Sequence, residues 1–138
     1  MDIWIFQKAL IQRLTIWALV SVTLGALCFL PVSNFWGALA FQFLGWALLD
    51  LGIAGFGYIS VRRRLAELSA TEKEAVTPAE TSKMITLLQG STILSTVFLL
   101  GGLVLWAYGS FWAGAGTGII LQAAFILFFS QYHLLKLR

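Results

Sequence analysis

The chain has 138 residues, of which 59% are hydrophobic and 11% charged, and its formal net charge is +3. Soluble domains carry about 45–50% apolar and about 25% charged residues, and so small a chain exposes much of its surface. These proportions exclude a soluble enzyme, a soluble binding module and a disordered chain, and they make the lipid bilayer the natural solvent.

In chain order, residues 1–13 read as an amphipathic lead-in on the membrane surface, with Trp4, Ile5 and Ile11 in lipid. A first span follows at about 10–30. Lys8 and Arg13 before LTIWALVSVTLGALCFL match the opening of a secretion signal. No small-x-small cleavage site follows cleanly, so the span is read as retained. Cys28, the single cysteine, allows no intramolecular disulfide and no cysteine-based metal site, which leaves it a packing role. From Leu14 to Val61 there are 48 residues and one charge, Asp50. One span needs only about 20 residues, so this run reverses once, at Pro31-Val32-Ser33-Asn34. There Pro31 lacks a donor, and Ser33 and Asn34 are helix caps. The second span is 35–61.

Residues 62–82 read as a polar loop. Within it Thr77-Pro78-Ala79-Glu80 predicts a helix start, with Thr77 as N-cap, Pro78 at the first position and Glu80 closing a capping box. Between Lys83 and Lys136 lie 52 residues without an Asp, Glu, Lys or Arg. They fold back once, at Tyr108-Gly109-Ser110, which gives spans at 83–107 and 113–135. The nine basic residues are Lys8, Arg13, Arg62, Arg63, Arg64, Lys73, Lys83, Lys136 and Arg138. All fall on one side and none in the two short turns, so both termini and the loop 62–82 are expected in the cytoplasm. Phe35-Trp36 and Phe111-Trp112 are placed at the outer interface, with Trp4, Tyr58 and Tyr132 at the inner one. Arg62, Arg63 and Arg64 face headgroups in this reading and act chiefly as a topology determinant.

The halves resemble each other. Leu24-Gly25-Ala26-Leu27 aligns with Leu100-Gly101-Gly102-Leu103, and Asn34-Phe35-Trp36 with Ser110-Phe111-Trp112, at the same offset of 76. After four extra residues within 113–118, Gln42 aligns with Gln122 and Asp50 with Ser130. The fold class is therefore an all-α integral membrane protein. Its four transmembrane helices form two tandem helical hairpins in one domain, 1–138, with parallel repeats.

Asp50 is the only acid in the apolar runs. It lies about 18 Å along the helix from Arg62, near the midplane. An ionised carboxylate there costs at least about 2.5–3.5 kcal/mol, so Asp50 must be protonated, paired or hydrated. Gln42, Trp46 and Asp50 form an i, i+4, i+8 stripe, and Gln122, Ile126 and Ser130 form its equivalent, with His133 one turn further in. Asp50, Gln42, Gln122, Ser130 and His133 make a candidate ligand or proton site. The competing role for these residues is interhelical hydrogen bonding that specifies packing. Gly45, Gly52, Gly101, Gly102, Gly114 and Gly118 are candidates for close helix packing. No metal site, cofactor or catalytic constellation is present in the pattern, and nothing points to nucleic acid.

The segments Phe41-Gln42, Gly45-Trp46, Asp50-Leu51-Gly52-Ile53-Ala54-Gly55-Phe56-Gly57, Gly101-Gly102, Gly118, Leu121-Gln122 and Phe125-Ile126-Leu127-Phe128-Phe129 resemble a bacterial four-helix membrane family, domain of unknown function 6992. The resemblance covers nearly the whole chain. It implies the fold and a bacterial cytoplasmic membrane location, and no activity. Where the family commonly has Asn this chain has Asp50, and where it has Asp this chain has Ser95 and Ser130, so no shared polar site is implied at those positions.

The first functional reading is a non-enzymatic helix-packing scaffold or accessory subunit, with the bilayer, other membrane subunits or a second copy of itself as partners. The alternative is a small proton-coupled transporter or lipophile-binding membrane protein that uses Asp50 with Gln42 and Gln122. Asp50→Asn separates them, because a scaffold tolerates it, and an Asp50 that faces lipid or is sealed between helices with no cavity beside it excludes the transporter.

Overall fold

The computed structural model describes residues 2–137. Arg138, counted in the charge asymmetry, lies outside them. Four α-helices follow one another: α1 (Ile3–Cys28), α2 (Asn34–Glu67), α3 (Ala70–Trp106) and α4 (Ser110–Leu137). Each is long and apolar enough to cross a membrane. Each of the first three starts on a polar cap. Asp2 accepts from the Trp4 amide at 2.8 Å, Ser33 from the Trp36 amide at 3.3 Å, and Ser69 from the Glu72 amide at 3.4 Å. The reversals fall at Phe29–Ser33 and Ala107–Gly109, where Gly109 takes a left-handed φ of 72° that a side chain would disfavour.

The middle segment differs from the loop expected over 62–82. α2 continues through the arginine triplet to Glu67, and α3 begins at Ala70, so only Leu68 and Ser69 connect them. The helix starts at Ser69, not Thr77, because Ser69 and Glu72 form a complete capping box. The Glu72 carboxylate accepts from the Ser69 amide at 2.8 Å. Pro78 thus lies inside α3. It leaves the Glu74 carbonyl without a helical donor, and Glu74 is exposed, where that loss is cheapest.

The expected lead-in also differs. Residues 3–13 continue α1 without a break. Trp4 is only 7% exposed, whereas Ile5 is 66% exposed. Ile3, Trp4 and Phe6 pack with Leu88 and Leu134, and Leu65, Leu68, Val76 and Met84 close around them. This cluster joins all four helices at the end that carries the termini. Apolar packing there explains why the polar stretch between the second and third apolar runs stays helical.

α1 and α2 pack as one hairpin, α3 and α4 as another, and α2 meets α4 between them. The α1/α4 and α2/α3 backbones hardly approach each other. The glycines divide accordingly. A Cβ at Gly114 would collide with the backbone of Phe35, and one at Gly118 with the Gln42 side chain, so both admit α2 against α4. Gly102 meets the Gly116 carbonyl and Ile120, which brings α3 onto α4. Gly45, Gly52 and Gly101, expected to serve the same purpose, have open space where a Cβ would stand. They are therefore not packing glycines within this chain.

The distribution of polarity is inverted relative to a water-soluble bundle. Asp50, Gln122, Ser21, Ser95, Ser130 and His133 are buried, while Leu48, Ile53, Phe56, Ile93, Val97 and Phe128 face outward, Phe56 at 81% exposure.

Candidate functional site

The two seams between the hairpins are filled differently. In the α1/α4 seam, Trp17 stacks on Phe125 with ring centroids 3.8 Å apart and planes 8° from parallel. The Trp17 indole donates to Gln122 Oε1 at 2.8 Å, and Gln122 Nε2 donates to Ser21 Oγ at 3.0 Å. One turn and more below, Arg13 donates to His133 Nε2 at 2.9 Å, and His133 Nδ1 donates to the Phe129 carbonyl at 2.6 Å. Because Arg13 has only donors, His133 is the neutral tautomer with its proton on Nδ1. Phe6 closes on the histidine edge at 5.5 Å. Every polar atom named here has a partner, so this seam is a satisfied packing interface.

The α2/α3 seam holds a cavity of about 660 Å³. Its walls are mostly apolar: Leu10, Ile11 and Leu14 from α1, Ile53 and Val61 from α2, Met84, Leu87 and Leu94 from α3, and Ile126 and Phe129 from α4. Asp50 opens onto it from α2, Ser91 and Ser95 from α3, and Ser130 from α4. Asp50 is 2% exposed, and its Oδ2 is buried with no hydrogen-bond partner among the described residues. The Ser91 and Ser130 hydroxyls are 2.5 Å apart. A buried carboxyl oxygen without a donor is costly, and Asp50 is one of the residues that line the cavity.

Two contacts bound the cavity along its length. At the end carrying the termini, Arg64 of α2 is ion-paired with Glu80 of α3. Glu80 also accepts from Gln7 of α1 at 3.3 Å, and Lys83 lines the same end. At the opposite end, Trp46 meets Phe98 edge to face with centroids 5.2 Å apart. The lining runs from Trp46 to Arg64 on α2 and from Glu80 to Phe98 on α3, about 27 Å at 1.5 Å per residue. Between the two contacts the seam opens sideways, past Leu49, Ile53 and Leu94, which are themselves exposed.

The residues expected to form one site are thus split. Asp50 and Ser130 line the cavity. Gln122 and His133 belong to the opposite seam, and Gln42 packs over Gly118 outside the cavity lining. Arg64, expected to face headgroups, is instead turned onto Glu80. Arg63 pairs with Glu67 on its own helix at 2.7 Å, and Arg62 is exposed. Ser91, Glu80 and Lys83 are site residues that the sequence reading did not place in the site, and Trp46 and Ser95 were named there without being counted in it. Ser91 and Ser95 lie four residues apart on one helix face, and that spacing was their available signal.

No curated protein and no solved structure matches the chain at a significant level. A family described only as of unknown function matches residues 13–130, which include α2 and α3 whole, most of α1 and α4, and every cavity residue from Leu14 to Ser130. The chain belongs to that family, DUF6992.

Proposed function

We propose that the protein is a non-enzymatic integral membrane protein, with both termini on the cytoplasmic side, that holds a lipid-phase molecule in the α2/α3 cavity. The outward apolar surface and inward polar residues support membrane residence, because an exposed apolar surface of this extent is incompatible with water. The one-sided placement of the basic residues supports the orientation.

One observation carries the binding role: a volume in the usual range for small-molecule sites, about 300–1,000 Å³, is lined by Asp50, whose buried carboxyl oxygen has nothing bonded to it. A helix-packing scaffold fills such a seam, as the α1/α4 seam is filled. The lateral opening faces the surface that lipid would cover, so a ligand arrives from the bilayer without crossing water. Asp50 is the polar anchor, with the hydroxyls of Ser91, Ser95 and Ser130 beside it. Gln42 and Gln122 are packing residues in this reading.

The test is what the protein retains. After purification in mild detergent, organic extraction of the wild-type protein should release about one lipophile per chain. Leu94→Trp, which adds bulk at the exposed side of the opening, should retain much less while staying folded. Equal retention by the two proteins, or none by either, would reject the cavity as a binding site.

A further inference from the structure

We infer that the ligand's polar group is an uncharged hydrogen-bond donor, a hydroxyl carried on a long apolar body, and that it sits at Asp50 rather than at the ionic end of the cavity. The inference rests on the cavity reading above and names the ligand class.

The positions of the polar groups decide between the two ends. Asp50 is 14 residues from Arg64 on α2, and Ser91 is 11 residues from Glu80 on α3. The polar shelf therefore lies about 16–21 Å from the ionic end. A lipid with its headgroup at Lys83 would lay plain hydrocarbon against Asp50 and the serines. It would cover the Asp50 oxygen without bonding it, which penalises that ligand. The ionic end has less to offer: Arg64 and Glu80 already neutralise each other, and Glu80 takes a further bond from Gln7.

A cationic head at Asp50 is also disfavoured by the lining. Apart from Asp50, the shelf contributes only the neutral hydroxyls of Ser91, Ser95 and Ser130, and the surrounding walls are apolar. A single buried ion pair needs further hydrogen bonds to offset desolvation of both charges. A hydroxyl needs only what is present. It donates to the Asp50 carboxyl and accepts from a serine hydroxyl or from the protonated carboxyl. The apolar body then lies along Ile53, Leu87 and Met84 toward the ionic end, or leaves through the lateral opening.

Trp46 lines the cavity and supplies a local reporter. The full-length protein in phospholipid nanodiscs is titrated with bromododecanol, bromododecane and a bromododecyl trimethylammonium salt. The signal is the part of the tryptophan quenching that disappears in Trp46→Phe. The alcohol should bind at least tenfold more tightly than the alkane or the ammonium. Asp50→Asn, which keeps a neutral donor and acceptor, should preserve that preference within about threefold. Asp50→Leu should abolish it while still admitting the alkane, which shows that the cavity persists. Equal binding of alcohol and alkane in the wild type would overturn the hydroxyl assignment and leave the cavity reading standing. Preference for the ammonium would overturn it in favour of an ionised Asp50. Absence of Trp46-dependent quenching by all three probes would overturn the cavity reading itself.

Discussion

Asp50 and Gln122 show how differently two buried polar side chains are treated in one bundle. Gln122 links Trp17 and Ser21, and both of its side-chain groups are used. Asp50, at the related position one repeat earlier plus two turns, keeps an oxygen without a donor. Gln122→Leu removes one acceptor and one donor at once and leaves the Trp17 indole N–H without a partner. Hydrogen bonds between membrane helices are worth about 0.6 kcal/mol on average and up to about 1.7 kcal/mol. The variant should therefore lose about 1–2 kcal/mol, read as a lower melting temperature in detergent. Asp50→Asn should leave that temperature nearly unchanged. A large loss in Asp50→Asn and none in Gln122→Leu would reverse these assignments. The sequence made Asp50 conspicuous because its charge stands alone. It grouped Gln42, Gln122 and His133 with it because helical spacing fixes which residues share a face, but not which neighbour that face meets.

The helices carry two lessons about what a sequence displays. Both Ser69-x-x-Glu72 and Thr77-x-x-Glu80 match a capping box, and Pro78 favours the second. The first is used because Val76 and Met84 gain burial against Trp4 and Phe6, a tertiary term that local pattern does not contain. Ser69→Ala should cost about 1 kcal/mol. The Ser69 hydroxyl and amide hold the Glu72 carboxyl below its ordinary value of 4.5, so the folded helix end favours the carboxylate. That contribution is complete above about pH 4.5 and is lost as the pH falls through the lowered folded value. Exchange protection of the Ser69 and Glu72 amides, taken relative to the intrinsic rates, should fall in acid in the wild type and show little such dependence in Glu72→Gln. Equal acid sensitivity in both would refute the role.

The glycines are the second lesson, since their contacts depend on a partner the sequence does not name. Gly114→Ala and Gly116→Ala force a Cβ into backbone, of Phe35 and of Gly102 with Trp106 respectively. Overpacking of this kind costs about 1–3 kcal/mol. Gly45→Ala and Gly101→Ala meet open space and should be neutral or stabilising by about 0.5–1 kcal/mol. Thermal melts of the four variants separate the classes, and destabilisation by Gly45→Ala would mark an external partner on that face.

For the whole molecule, the charge map and hydropathy made four apolar helices and their short turns legible, because both depend only on composition along the chain. The cavity was not legible, because a void is an absence of side chain between helices that are distant in pattern. The alignment of the two halves read from the sequence sets the two seams side by side. Trp17 aligns with Ile93, and Phe125 with Gly45. The aromatic stack that plugs the α1/α4 seam thus corresponds to an outward-facing isoleucine and a glycine, neither of which lines the α2/α3 cavity.

The two-residue connection at Leu68-Ser69 turns that open seam into a pair of tongs. α2 and α3 are pinned where they join, so any spreading between them pivots there. Arg64 lies four residues from Leu68 and Trp46 lies 22 residues from it, about 6 Å and about 33 Å along α2. A given angular opening displaces the Trp46–Phe98 tips roughly three to five times as far as it displaces the ion pair. The tips carry the leverage and the pivot the strength: a salt link near the hinge resists little rotation, while the far aromatic contact and the packing of both helices on α4 set how wide the jaws stand.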